Sequence, residues 1–251
     1  MVEIIEDHPA YGRRRIKPEL RARTGKVVNE KRLGRLLSEW DLALRREVTR
    51  TEPSGVRKAL EAGSGQLNLL QGREPAPLEA LVTDFTELRY AGGSRKAQLI
   101  AFQDPTSAWV PGWAVGPSPD RELALRAWER VETSFQEVDG ALAGVIVHQD
   151  QDPVFTSYDW LRALLLDAEV LVSYSENGAK GNPWIESLWA RFKVENMSLI
   201  TEAETPAELR DVVGRQVAYY NRERRHSSLG YVSPLEFLRA EGRVPGSLST
   251  D

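Results

Sequence analysis

Residues 81–175 narrow the choice of fold more than any other part of the chain. LVTDFTELRY (81–90), AQLIAFQD (97–104) and WVPGWAVG (109–116) read as three strands with short polar connections, so they predict a meander. A helix over 119–136, a buried strand over 144–150, a helix over 157–168 and a short strand over 170–175 follow in alternation. Three consecutive strands followed by alternating helix and strand predict an α/β fold, a mixed five-stranded sheet with helices on its faces.

The next helix poses a question. In GNPWIESLWARFKVENMSL (181–199), Asn182 suits a helix cap and Pro183 its first turn, and Ile185, Leu188, Trp189 and Phe192 recur at the spacing of a buried stripe. Glu186 lies at the edge of that stripe, one position beyond the place of a capping-box carboxylate. Two other acids stand out. Asp84 lies inside the first strand, on the face shared with Val82 and Leu88, and Asp150 ends the strand that begins at Gly144. Taken singly, each has an ordinary reading: an edge residue, a polar loop and a solvated helix carboxylate. Together, on neighbouring strands and a helix packed over them, three carboxylates describe a hard-cation site for Mg²⁺ or Mn²⁺. The chain has no cysteine and three histidines, so any metal is held by oxygen or imidazole. His148, beside Asp150, is a candidate ligand, but a structural hydrogen bond explains it equally well.

Charge separates the ends of the chain. The net charge is -4, but residues 1–50 hold 13 Lys and Arg against 8 Asp and Glu, leaving 20 against 29 for the remainder. A basic surplus at one end is the footprint of a phosphate-contacting unit. Two short helices are expected there, Pro18–Arg23 and Asn29–Trp40, with Val28, Leu33, Leu36 and Leu37 as the apolar stripe, in the proportions of a helix-turn-helix. Arg13, Arg14, Arg15 and Lys17, with Arg21 and Arg23, are its candidate DNA contacts, and Arg222, Arg224 and Arg225 form a second basic group. His226 fits either a DNA contact or a helix cap. The organisation expected is a basic unit over 1–50, a linker over 51–77 rich in Pro, Gly and Ser, a core over 78–205 and a completing helix and tail over 206–251. No apolar run is long enough to span a bilayer and the start lacks a signal-peptide core, so a cytoplasmic protein is expected.

Four motifs occur in order, VTDFTEL, HQDQDPVFTS, KGNPWIESLWARFKVE and YYNRERRHSSLGYVSPLEF, with 186 - 150 - 1 = 35 residues between the second and third acids. With HPAYGRRRIKPEL and GKVVNEKRLGRLL before them, they resemble the downstream-frame (OrfB) product of insertion-sequence-three-type transposases, whose core is similar to retroviral integrase. The resemblance implies a ribonuclease H-like fold and a catalytic Asp84, Asp150, Glu186 triad binding two Mg²⁺ or Mn²⁺ ions. It also implies Lys193 as a DNA contact, an upstream-frame OrfA-type partner, and multimers assembled on DNA. The activity implied is cleavage of element ends and strand transfer of the 3′-hydroxyl into target DNA. The chain departs from the family pattern at Leu81, where a Trp is usual, at Gln151 and Asp152, where Arg and Gly are usual, and before Glu186, where an Asp-Asn pair is common. The altered loop keeps two rival readings open: a DNA-binding remnant without catalysis, and a ribonuclease H-like nuclease.

Overall fold

A computed structural model describes residues 1–8, 11–40, 42, 67–138, 140–175 and 182–244. The chain divides into two compact units, Met1–Glu52 and Pro53–Asp251.

The first unit contains α1 (Val2–Asp7), α2 (Arg13–Thr24) and α3 (Glu30–Glu39). Ile4, Ile16, Leu33 and Leu37 form its core, with Leu20 and Val28 packed against them. Asn29 caps α3 by accepting the Lys31 N–H at 2.8 Å, which fixes its start close to the expected place. The expected first helix is corrected. It begins at Arg13, not Pro18, and Pro18 lies inside it. Pro18 is exposed, so the Arg14 carbonyl that loses its N–H partner there can turn to water. Arg13, Arg14, Arg15 and Lys17 therefore stand on α2, all exposed, around the buried Ile16. α1 was not foreseen.

The second unit is built on a five-stranded sheet in the order β3-β2-β1-β4-β5, comprising β1 (Ala80–Tyr90), β2 (Arg95–Gln103), β3 (Gly112–Gly116), β4 (Ile146–Gln149) and β5 (Leu171–Tyr174). β1 pairs antiparallel with β2 and β2 with β3, giving the expected meander, whereas β4 joins β1 in parallel and β5 joins β4 in parallel. The helices are α4 (Arg121–Phe135), α5 (Tyr158–Arg162), α6 (Pro183–Glu202), α7 (Pro206–Arg222) and α8 (Pro234–Ala240).

Side chains along β1 alternate between two cores, as a period of two requires. Val82 and Leu88 join Leu188, Phe192, Leu209 and Val213 of α6 and α7. Leu81 joins Ile100, Phe102, Trp128 of α4 and Trp160 of α5 on the other side. The sheet is thus covered on both faces. Gly112 sets one spacing: a Cβ there would come within 2.4 Å of the Ala127 carbonyl oxygen, so α4 lies directly on β3.

Several boundaries differ from expectation for local reasons. β3 starts at Gly112 because Trp109 and Val110 are held elsewhere. The Asp104 N–H donates to the Trp109 carbonyl at 2.8 Å, while the Asn221 side chain accepts from the Val110 N–H at 2.9 Å and donates to its carbonyl at 2.8 Å. The helix expected over 157–168 is α5 followed by a π turn, Ala163–Asp167. Most of the segment expected as linker lies outside the described residues. Its end, 67–77, lies against β5: the Tyr174 N–H donates to the Leu67 carbonyl, the Leu69 N–H donates to Ser173 Oγ, and Leu70 is buried. Among the described residues no helix is long and apolar enough to cross a membrane.

Candidate active site

The parallel register of β1 and β4 pairs Ala80 with Ile146, Leu81 with Val147 and Val82 with His148. Two residues further along both chains come Asp84 and Asp150. Asp150 directly follows β4, at the carboxyl end of a parallel strand, where open α/β sheets place their ligands. α6 crosses the β1 face that bears Val82 and Leu88, and its fourth residue is the exposed Glu186.

These acids feel one another. The Asp84 carboxyl is pushed up to about 6, first by burial and then by the negative charges of Asp150, Asp152 and Glu186, against a bond from the Phe85 N–H at 2.7 Å. Burial also raises the Asp150 carboxyl, and Asp152 adds to this. Asp152, the departure noted in the sequence, shapes the loop. Its N–H donates to Asp150 Oδ1 at 2.9 Å, and its own Oδ1 accepts from the Val154 N–H at 2.8 Å. Among the described residues, no three Asp, Glu, His or Cys side chains form a ready-made metal cage. The donor set nevertheless fits a hard divalent cation: it offers only carboxylate oxygens, whose mutual repulsion such an ion would relieve.

His148 has a different place from a metal ligand. It is 1% exposed, and its Nδ1 lies 2.9 Å from Ser173 Oγ, the oxygen that also accepts from Leu69. It helps join β4, β5 and the segment before β1. Lys193 is half-buried on α6; burial lowers its ammonium, and the Glu87 carboxylate on β1 opposes that shift.

The remaining basic candidates differ in how free they are. Arg224 grips Glu195 of α6 through Nε at 2.7 Å and Nη2 at 2.5 Å, and it lies 5.6 Å from the Tyr220 ring centroid. Its donors are largely taken by a clamp between α6 and the end of α7. Arg225 donates to the Tyr231 carbonyl at 2.8 Å but stays exposed, as does Arg222. Arg13 pairs with Glu30 at 3.4 Å, and the Arg15 guanidinium lies 5.8 Å from the Tyr11 ring centroid. His226 is buried edge-on against Tyr220, with ring centroids 4.8 Å apart, so neither expected role describes it.

Residues 74–180 and 170–234 each match a family described as integrase core domain, and residues 1–49 match an HTH-like domain. An insertion element IS600 uncharacterized 31 kDa protein from Shigella sonnei is 28% identical over 238 residues, covering 93% of this chain and 83% of that one. The transposase for insertion sequence element IS904 from Lactococcus lactis subsp. lactis (strain IL1403) is 27% identical over 242 residues, covering 93% and 90%. Residues 74–234 thus carry an integrase core, and over nearly its whole length the chain is similar to proteins of bacterial insertion sequences, a transposase among them. The five-stranded mixed sheet with helices on both faces is the expected α/β arrangement, and the integrase-core match runs along it. The catalytic core domain of BIV integrase is similar at 16% identity, with a TM-score of 0.47 over 66% of this chain and 97% of that one.

Two features of this integrase core escaped the sequence reading. A cavity of about 830 Å³ lies between α4, α7 and α8, apart from the three acids, and is lined in part by Trp109, Trp113, Arg130 and Arg222. The Arg130 guanidinium stacks 3.9 Å from the Trp113 ring centroid there. The second concerns Asn182, expected as the α6 cap: its side chain caps nothing. Its backbone has turned away from the extended cap conformation, with φ -127° and ψ 71°.

Proposed function

We propose that the chain is a DNA transposase that cleaves element ends and joins the resulting 3′-hydroxyl to target DNA, with Asp84, Asp150 and Glu186 as its catalytic carboxylates. One observation supports this above the others. The parallel β1–β4 register brings Asp84 and Asp150 level on neighbouring strands, beneath the helix that bears Glu186, in a chain with an integrase core.

The three carboxylates would hold two Mg²⁺ or Mn²⁺ ions. Held there, such ions would supply Lewis acidity to the attacking and leaving oxygens of an in-line displacement. In the first step water attacks phosphorus, the bond to the 3′-oxygen breaks, and that oxygen takes a proton to become a free hydroxyl. In the second, this hydroxyl loses its proton and attacks a target phosphodiester, whose own 3′-oxygen departs and is protonated. Each step replaces one P–O bond by another, so neither a nucleotide cofactor nor a covalent enzyme intermediate is required.

The chain's other residues hold the polymer. The exposed cations of α2, Arg14, Arg15 and Lys17, with Arg13, fit backbone contacts to the element end. Arg222 and Arg225 remain exposed for phosphate contact, whereas Arg224 supports them by fixing the end of α7. Lys193 would approach the DNA from the same helix as Glu186. An upstream-frame partner and a multimer on DNA complete the proposed assembly.

The rival reading of a non-cutting remnant rests on Asp152. Its carboxylate is engaged by the Val154 N–H and orders the loop beside Asp150, which supports an intact site. A strand-transfer assay tests the proposal, with a pre-cut element end, a plasmid target and Mn²⁺, and Glu186→Gln in parallel. Joined product from the parent chain and none from the variant is the expected result. Cleavage without joining, with the upstream partner present, would instead favour a nuclease, and neither product would favour the remnant.

A further inference from the structure

Asp84 and Asp150 are held in different ways. Asp84 lies inside a ladder, paired with Ala101 of β2. Asp150 lies past the end of one: the last pair between β1 and β4, Val82 with His148, is two residues short of both acids. Beyond that pair, contacts other than the ladder must set the spacing of the two carboxylates.

Those contacts lie on the opposite face of the sheet. Side chains alternate along a strand, so the residues that adjoin the acids, Phe85 and Gln149, point away from them. Both meet Phe155. The Phe85 and Phe155 rings stack with centroids 5.2 Å apart, and Gln149 Nε2 donates to the Phe155 carbonyl at 3.2 Å. The same carbonyl accepts from the Tyr174 hydroxyl of β5 at 3.1 Å, while Gln149 Oε1 accepts from the Trp160 Nε1–H at 2.9 Å. Gln149, Phe155 and Trp160 are all 0% exposed.

An indole N–H can only donate and a carbonyl can only accept, so the side chain at 149 must offer one acceptor and one donor, which an amide does without charge. A buried amide is costly unless it is bonded, and here each bond ties the end of β4 to a part of the chain that follows Asp150. Between these anchors the loop folds on itself, with the Asp152 N–H on Asp150 Oδ1 and the Val154 N–H on Asp152 Oδ1. The loop that begins at Asp150 is thus pinned at its far end by the residue just before Asp150, and the pin rests on the residue just after Asp84.

We propose that Gln149 is a positioning residue: through the Phe155 carbonyl and the Phe155–Phe85 stack, it fixes the Asp150 carboxylate relative to Asp84 so that both can hold one divalent cation. Tyr174, the second donor to that carbonyl, has a lesser share. This rests on the metal site of the transposase reading above and assigns that site its support on the reverse face of the sheet.

The test uses the full chain as wild type, Gln149→Met, Tyr174→Phe and Leu209→Ala, below the melting range of the least stable. Gln149→Met keeps the length of the side chain and removes both bonds. Leu209→Ala lowers stability from the other core. Mn²⁺ binding to the free chain is followed by the electron paramagnetic resonance of unbound Mn²⁺, and the Mn²⁺ concentration for half-maximal joining is measured with a pre-cut element end. Gln149→Met should raise both midpoints about tenfold, as removal of support from a metal ligand does, with joining recovered at saturating Mn²⁺. Tyr174→Phe should raise them by a smaller factor, and Leu209→Ala should leave them at the wild-type value although it melts lower.

A Gln149→Met chain that melts lower but keeps both midpoints would overturn the inference, because the amide then serves the core alone. An equal rise in Leu209→Ala would also overturn it, because any loss of stability then loosens the site. Should Gln149→Met fail to fold, unmoved midpoints in Tyr174→Phe would overturn it instead. A wild type that joins ends, with midpoints unmoved in the variants, would remove this inference and leave the transposase reading in place. Binding midpoints that rise as expected in a chain that joins no ends would remove the transposase reading and leave this inference. A wild type that neither binds Mn²⁺ nor joins ends would remove both.

Discussion

α6 and α7 cover the same face of the sheet and begin alike, each with proline in its first turn, but they are finished differently. α7 is satisfied within itself. Thr205 accepts the Glu208 N–H at 3.2 Å, and the Glu208 carboxylate accepts the Glu204 N–H at 2.8 Å. Its buried side chains, from Leu209 to Tyr220, face the core, and the Tyr220 hydroxyl accepts from Gln103 at 3.0 Å. α6 has an uncapped start, a proposed catalytic carboxylate and three exposed apolar residues, Val194, Met197 and Leu199. The contrast separates an element selected to hold the fold from one that leaves bonding capacity for a ligand.

If that division is right, substitutions on the two helices should move different observables. Glu186→Gln should give the largest effect on activity, lowering strand transfer by about 10²–10³-fold. As an exposed, near-isosteric change it should leave stability within about 0.5 kcal/mol, checked by thermal melting. A large loss of stability there would break the comparison. On α7, the fully buried Leu209→Ala should cost about 3 kcal/mol. That corresponds to a melting temperature lower by roughly 6–12 °C for a unit of this size, with transfer per folded molecule at low temperature unchanged.

The end of α7 should show itself in pH dependence. Burial pushes His226 down to about 4, assisted by Arg224 and Arg191 and opposed by Glu195. The folded state therefore keeps the ring neutral while the unfolded chain takes up a proton near the ordinary value of 6.5. Stability from this group is full above that value, falls as pH drops from about 6.5 to about 4, and then levels off. His226→Phe, which keeps an aromatic ring against Tyr220, should flatten this part of the melting-temperature profile. The smallest expected effect is that of Thr205→Ala, which should cost about 1 kcal/mol by removing the α7 cap and leave transfer untouched. Asn182, at the equivalent place on α6, makes no cap bond, so Asn182→Ala should cost less stability than Thr205→Ala, checked by thermal melting.

Much of this was legible in the sequence because it is written in local spacing. Alternation in VTDFTEL placed Asp84 on the face with Val82 and Leu88, and the α6 stripe of Ile185, Leu188, Trp189 and Phe192 is buried as its spacing requires. The features that escaped depend on partners distant in sequence or on a choice between two local options. Pro18 suits a helix start, but the buried Ile16 draws the helix back to Arg13. Residues 109–111 look like strand, yet Asn221, more than a hundred residues later, holds Val110. Asn182 has the chemistry of a cap, and nothing nearby in the sequence shows that its side chain turns elsewhere. Arg224 reads as one of three equivalent arginines until Glu195 appears opposite it.

The parallel pairing of β1 with β4 also sets an order in time. β1, β2 and β3 can pair as soon as they are made, since their contacts are close in sequence, but β4 must wait for α4 to cross the sheet. Asp84 and Glu186 are 186 - 84 = 102 residues apart, about 5–20 s of synthesis. Throughout that interval a growing or broken chain can own a folded meander and at most two of the three proposed acids. Under the proposed function, the growing chain is thereby born without its cutting site, which comes together only when nearly all of the core has been made.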